Sequence, residues 1–237
     1  MEYINKMAKD AQNSLGSVLG SPKLTLYYFD IQGPVEPARL ALTIGGIAFE
    51  DKRVTFDEMK AMRAAGELKG GGQLPQLHIG GAILSQSQAM GVYCAKLAGG
   101  GLCPSDPLAA ARVDEVIQFV NEDVRGRCIY PTMDYNGAHL PDKKAQLRKE
   151  LAEEKLPEKF KLLEAMMDST YCCGDSLTLA DLYVYGLLNW IGMGTLDGVS
   201  PNIIREHTKL TKLVATLDGH PQIKEWNASK NPKLPWL

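Results

Sequence analysis

No stretch of this 237-residue chain approaches the apolar length of a membrane span. The first residues carry neither the continuous hydrophobic run of a signal peptide nor the arginines of a transit peptide. An excess of positive charge is also missing. Lys and Arg number 26 against 28 Asp and Glu, a formal net charge of -2, so there is no electrostatic footprint for nucleic acid or an anionic membrane. Cysteine is sparse and unpatterned. Cys94, Cys103, Cys128, Cys172 and Cys173 are odd in number and show neither Cys-x-x-Cys nor zinc-ligand spacing, which argues against a disulfide framework or a metal site and fits a reducing, cytoplasmic setting. The histidines His78, His139, His207 and His220 are scattered, and none pairs with a cysteine at a recognisable spacing, so no catalytic histidine is expected. Gly70-Gly71-Gly72 lacks both the preceding strand and the Lys-Ser/Thr ending of a phosphate loop, and reads as a flexible connection.

What is present is ordinary for a globular protein: 45% hydrophobic and 23% charged residues, enough for one large or two small cores. Residues 1–22 read as a short amphipathic extension that packs on the body or frays, rather than a targeting or partner-binding helix, with Tyr3, Ile4, Met7, Ala8, Ala11 and Leu15 recurring at helical spacing. From Lys23 to Phe29 the side chains alternate, with Leu24, Leu26 and Tyr28 on one face and Tyr27, taken as core, on the other. A helix follows from Pro37 to Ile44, with Arg39 expected in a structural ion pair. A second strand runs from Ala48 to Thr55, and the helical crossover makes it parallel to the first. Phe56–Leu68 is charged and helical.

The stretch from Gln73 to Ser87 holds the most information. A proline inside an apolar run cannot donate to a sheet ladder, so Gln73-Leu74-Pro75-Gln76-Leu77 predicts a sharp backbone feature, a cis peptide among the possibilities, at a strand entrance. Two short strands then meet across Gly80-Gly81. Ser85-Gln86-Ser87 opens a helix running to Ala98, with Met90, Tyr93, Cys94 and Leu97 inward, and its unpaired amides suit a carboxylate. Gly99-Gly100-Gly101, Pro104 and Pro107 mark a linker, 100–107. Beyond it only helices are expected: Leu108–Val124 with a polar flank, a turn-rich loop over Tyr130–Pro141, and one long helix over Lys143–Asp168 kinked at Pro157. Three further helices follow, over Leu179–Trp190, Ile203–Leu217 and Pro221–Ala228, the first opened by the capping box Thr178-x-x-Asp181. Cys172-Cys173 reads as ordinary packing rather than a redox pair.

Taken in this order, the chain resembles the cytosolic glutathione S-transferases, nearest to the sigma-like class and its protist and algal relatives, over about residues 23–230. The motifs that carry the resemblance are Tyr28-Phe29-Asp30, Gln73-Leu74-Pro75 and Gln86-Ser87. It implies the glutathione S-transferase fold: an α/β thioredoxin-like domain (23–99) that grips glutathione, and an all-α domain (108–237) that lines a pocket for an electrophile. It also implies a detoxifying transferase that dimerises with its own copy, uses glutathione as co-substrate and needs no other cofactor and no metal. Tyr28 matches the catalytic tyrosine and Pro75 the cis-proline whose neighbour Leu74 pairs its backbone with glutathione. Gln86 and Ser87, with Gln73 beside them, would take the γ-glutamyl group, and Lys69 is the candidate glutathione-binding lysine. Glu122 or Asp123 would reach into the partner's site, and Ile31, Tyr130 and Met133 would wall the electrophile pocket. Gln32-Gly33-Pro34 stands where relatives carry arginines, and Met59 or Met62 where they carry a loop tryptophan. Those departures keep open a non-catalytic relative, and a glutathione-dependent isomerase or peroxidase could use the same scaffold. The family's cysteine-type members carry a nucleophile just after the first strand; no cysteine lies there, which argues against a thiol-disulfide reductase.

Overall fold

The computed structural model describes residues 22–133, 141–167 and 169–230. The expected amphipathic extension therefore lies almost wholly outside the described residues. Four strands, β1 (Leu24–Phe29), β2 (Glu50–Val54), β3 (Gln76–Ile79) and β4 (Ala82–Ser85), form one mixed sheet in the order β2-β1-β3-β4. The β1–β2 pair is parallel and the β1–β3 and β3–β4 pairs are antiparallel. Helix α1 (Glu36–Ile44) makes the crossover between β1 and β2, and α2 (Phe56–Ala64) leaves β2 through a capping box of Thr55 and Glu58. Helix α3 (Ser87–Ala98) follows β4.

The alternation along β1 decides the two sides of the sheet. Leu24, Leu26 and Tyr28 point into the main core beneath α1 and α3. The opposite face supports a small satellite core of Val54, Met59 and Leu68 under α2, with Phe29 and Met62 against it. Tyr27 is therefore only half-buried rather than core, its ring 4.5 Å from that of His78 and beneath the Lys52 ammonium. Met59 and Met62 both sit on α2, so neither stands in a loop. On α3 the buried face is Met90, Gly91, Cys94, Ala95 and Ala98. Tyr93 and Leu97 lie on its flank instead of inward, Leu97 at 42% exposure. The helical repeat from Met90 makes Cys94 and Ala98 its successors, and Leu97 follows a different stripe.

The remainder is helical: α4 (Pro107–Gln118), α5 (Pro141–Glu150), α6 (Leu156–Met166), α7 (Leu179–Gly192), α8 (Thr208–Asp218) and α9 (Pro221–Lys230). Helix α4 does not stop at Val124. It widens into π-helical turns over Phe119–Ile129, followed by a short 3-10 turn, Tyr130–Thr132. The expected long helix runs without a break from Pro141 to Met166, and just before Pro157 it widens into π-helical turns over Leu151–Lys155. Pro157 has no N–H for the preceding turn, and a wider hydrogen-bond spacing accommodates that loss. Likewise, Ile203–Leu217 is a 3-10 turn (Ile203–Glu206) and then α8, separated at His207, whose backbone is extended. Helix α7 is buried along nearly its whole length and packs against α1, α4 and α8, so it is the hydrophobic spine of the helical part.

Candidate functional site

Strand register brings the sequence motifs to one end of the sheet. Tyr27 pairs with Gln76 across β1 and β3, and Gln76 pairs with Ser85 across β3 and β4. One residue further on each strand, Tyr28, Pro75 and Gln86 form adjacent positions in a row. The Leu74–Pro75 peptide is cis. Gln86 has φ 74°, the one non-glycine residue in that region among the described residues, and it precedes the first turn of α3 without capping it through its side chain. A side chain held there costs roughly 1–3 kcal/mol and is retained only where its surroundings enforce it. Gln86 is exposed and Ser87 half-buried, so the start of α3 faces solvent at this row.

Gln76 organises the approach to this row, and sequence reading did not single it out. Its side chain is fully buried, and its Nε2 donates to the carbonyls of Lys69 (2.7 Å) and Gln73 (3.0 Å), pinning the Gly70-Gly72 loop against the sheet. The signal was a polar residue inside a strand whose neighbours are apolar. Lys69 and Gln73 themselves are exposed on that loop, and Leu74 is half-buried against the core.

Tyr28 is 8% exposed, and its ring lies directly over Gly33. A Cβ at Gly33 would sit 2.6 Å from the ring and 2.8 Å from the hydroxyl, and Gly33 has φ +54°. We expect Gly33→Ala to push the ring aside and to destabilise the protein by about 1–3 kcal/mol, a fall in melting temperature of roughly 2–12 °C. Thermal unfolding with near-ultraviolet circular dichroism checks this, and unchanged aromatic signals would refute the contact.

Behind Tyr28 runs a buried charge ladder. The Arg39 guanidinium lies 6.0 Å from the ring centroid, within cation–π range. Arg39 Nη1 donates to the Ile31 carbonyl (2.7 Å) and to Glu36 Oε2 (3.1 Å), and Nε donates to Asp51 Oδ1 (2.8 Å). Glu36 Oε1 accepts from Trp226 Nε1 (2.7 Å), and Asp51 Oδ2 accepts from Arg53 Nε (2.9 Å). Arg53 Nη1 in turn holds Asp30 at 2.6 Å. The ion pair expected for Arg39 is thus one rung of a ladder from the loop after β1 to α9. Gln32, in the same loop, is 3% exposed, and its amide has no partner among the described residues.

Of the two acidic candidates, Glu122 lines a surface groove of 810 Å³ with Gln86, Gln88 and Tyr93. Asp123 is paired with Arg127 on its own helix at 2.6 Å. Tyr130 and Met133 belong to one turn, closed by the Met133 N–H to the Tyr130 carbonyl, and Ile31 comes from the loop after β1 at 53% exposure. Burial raises the thiols of Cys94, Cys103, Cys128 and Cys172, Cys94 to about 12, so these sulfurs are poor nucleophiles. No group of three or more metal-ligating side chains is gathered among the described residues, nor is any helix long and apolar enough to cross a membrane.

Residues 131–230 match the family profile described as the C-terminal domain of glutathione S-transferase. Glutathione S-transferase 1 of Ascaris suum is 32% identical over 220 residues, covering 91% of this chain and all of that protein. The chain belongs to the glutathione S-transferase family. It is also 25% identical over 214 residues to the hematopoietic prostaglandin D synthase of Gallus gallus, covering 90% of this chain and 98% of that one. A solved glutathione S-transferase of the hookworm Necator americanus, described as monomeric, superposes with a TM-score of 0.70 at 26% identity, covering 88% and 97% of the two chains.

Proposed function

We propose that the protein binds glutathione at the row formed by Tyr28, Leu74–Pro75 and Gln86–Ser87 and conjugates its thiolate to small hydrophobic electrophiles. The observation that carries this reading is the strand register, which sets Tyr28 beside the Pro75 turn and the exposed start of α3. The backbone of Leu74 pairs with the peptide of glutathione. Ser87 and the first amides of α3 take the γ-glutamyl carboxylate, for which a helix start supplies both donors and partial positive charge. Gln73 and Gln86 flank that group, and Lys69 reaches from the exposed loop. The thiol of glutathione has an ordinary pKa of about 8.5. Lowering it by two units takes about 2.7 kcal/mol, and one charge-assisted hydrogen bond from the Tyr28 hydroxyl supplies about 1.5–3 kcal/mol. No metal or further cofactor enters this chemistry.

Ile31, Tyr130 and Met133 wall the electrophile side in this reading. The protein acts in the cytoplasm, and in a dimer of two copies Glu122, which shares a groove with Gln86, is the acidic residue that reaches the neighbouring site. The sigma-like placement, resting on Tyr28-Phe29-Asp30 and Gln86-Ser87, is part of the same proposal. A second reading, a glutathione-dependent isomerase or peroxidase on this scaffold, differs only in the electrophile, and a relative named as a prostaglandin D synthase rather than a transferase is what favours keeping it.

Calorimetric titration with reduced glutathione, on the unmodified protein and on Tyr28→Phe, tests the proposal. Both are expected to bind, with the thiol acidified only by the unmodified protein and kcat/KM for a model electrophile lower in Tyr28→Phe by about 10- to 150-fold, the worth of one such hydrogen bond. If neither protein binds glutathione, the chain is a member of the family kept for binding or assembly.

A further inference from the structure

Arg125 carries a buried charge that has no counter-charge among the described residues. It is 2% exposed, in the π-helical stretch Phe119–Ile129, and its sequence neighbours Val124, Cys128 and Ile129 are buried with it. Its Nε and Nη2 have no acceptor among the described residues, and its guanidinium lies 5.6 Å from the ring centroid of Trp190 on α7. Arg39, equally buried, meets two carboxylates. The acids of Arg125's own stretch are engaged elsewhere: Asp123 pairs with Arg127, and Glu122 is exposed in the groove with Gln86. A guanidinium cannot shed its proton to escape burial, and an interior charge without a partner is strongly destabilising. The cation–π contact with Trp190 offsets only part of that.

The position of Arg125 ties it to the electrophile side of the candidate site. The Tyr130 backbone N–H bonds to the Arg125 carbonyl, so Arg125 stands one helical turn before that wall residue. On α7, Tyr183 donates its hydroxyl to the Ser87 carbonyl at 3.1 Å, at the start of α3. Burial raises the Tyr183 phenol, and the Arg125 charge pulls it the other way. Helix α7 also packs against the turn Gly33–Val35, whose first residue lies against the Tyr28 ring. One helix thus links Arg125 to both ends of the row that begins at Tyr28 and finishes at Gln86–Ser87. Trp190 is half-buried and Tyr130 is 39% exposed, so this neighbourhood meets solvent at those two rings.

We propose that Arg125 selects the electrophile, and that the substrates of this site are hydrophobic electrophiles bearing a carboxylate. The inference rests on the conjugation reading above and narrows its substrate class. Nε and Nη2 form one edge of the guanidinium, and their two N–H donors match the two oxygens of a carboxylate. A free anion gains little by leaving water for so apolar a setting. A carboxylate attached to an apolar body can enter it, because burial of that body offsets the desolvation of the charge. With an activated aryl chloride, the glutathione thiolate forms the carbon–sulfur bond and chloride leaves with the electron pair of the broken carbon–chlorine bond. The carboxylate stays ionised on Arg125 throughout.

The test compares chlorodinitrobenzoate, with chlorine para to the carboxylate, and its methyl ester on the unmodified protein and on Arg125→Met. The ratio of kcat/KM for the acid to that for the ester is expected to fall about 10- to 150-fold in Arg125→Met, the worth of one charge-assisted pair. The melting temperature should hold or rise, since methionine keeps much of the length and removes an unbalanced charge. An unchanged ratio would overturn the proposal, and a lower melting temperature alongside it would make Arg125 a structural residue. Calorimetry with glutathione alone separates the other source of a carboxylate. Weaker glutathione binding by Arg125→Met would give the guanidinium to glutathione itself and overturn the proposal. If neither probe reacts with the unmodified protein, the conjugation reading fails, and titration with unreactive dinitrobenzoate and its methyl ester still decides the role of Arg125. Tighter binding of the acid, lost in Arg125→Met, supports a carboxylate site; equal binding of acid and ester overturns it.

Discussion

Replacing Arg39 by methionine is expected to lower the unfolding free energy by about 3–5 kcal/mol, a fall in melting temperature of roughly 6–20 °C. The side chain is wholly buried, and it faces Glu36 at 1% and Asp51 at 6% side-chain exposure. Methionine fills much of the volume but leaves two carboxylates in the interior without the guanidinium that balances them. Trp226 and Arg53 still hold the far oxygens of Glu36 and Asp51, which limits the loss. The Ile31 carbonyl also loses its donor, and the loop that carries Gln32 and Gly33 beneath Tyr28 is no longer tied to β2. Arg39→Lys should recover only part of the stability, since a single ammonium cannot meet Ile31, Glu36 and Asp51 in one plane. Chemical denaturation measures both variants. An Arg39→Met protein within 1 kcal/mol of the unmodified one would show that the ladder contributes little.

Asp181→Ala is expected to cost a similar amount, about 3–5 kcal/mol, through a different route. Asp181 is fully buried at the start of α7 and accepts three bonds: from the Thr178 N–H (2.7 Å), the Thr178 hydroxyl (2.9 Å) and the Cys172 N–H (2.7 Å). Burial pushes its carboxyl above the usual range, against the hydrogen bonds from Cys172 and Thr178 that pull it down. Alanine leaves two backbone N–H groups with nothing to bond, in a region closed to water. Helix α7 then loses its first-turn anchor, and the loop through Cys172 loses its attachment to that helix. Asp181→Asn should fall between the two, because one amide oxygen can keep the Thr178 bonds while its nitrogen faces the Cys172 donor. If Asp181→Ala melts within 3 °C of the unmodified protein, water must reach these donors and the cap is not the anchor described.

The candidate site shows where sequence reading stopped. Pro75 inside an apolar run and Ser87 at a helix start were visible because each breaks a local rule of backbone pairing or capping. Tyr28 was visible as the last inward residue of an alternating strand. Gln76 was not, because its amide bonds to carbonyls of a loop, and a loop's path is not written in periodicity. The different surroundings of Glu122, which lines a groove, and Asp123, which pairs with Arg127, were also hidden: adjacent residues on a helix face different directions, and the π-helical turns from Phe119 shift those directions away from any regular repeat.

By itself the sequence determined the strand-helix-strand opening, the Gly80-Gly81 hairpin, the helical second half and the capping box at Thr178, since each depends on residues within a few positions of one another. Only the tertiary structure decided that Tyr27 would lie half-open beside His78, that Leu97 would lie on the flank of α3, and that Arg39 would join Asp51 on one strand to Glu36 and Trp226 across the molecule. Those outcomes rest on which surfaces meet after the chain has turned back on itself. A local pattern names a helix or strand, but the burial of a side chain and the pairing of its charge are properties of the neighbours it acquires.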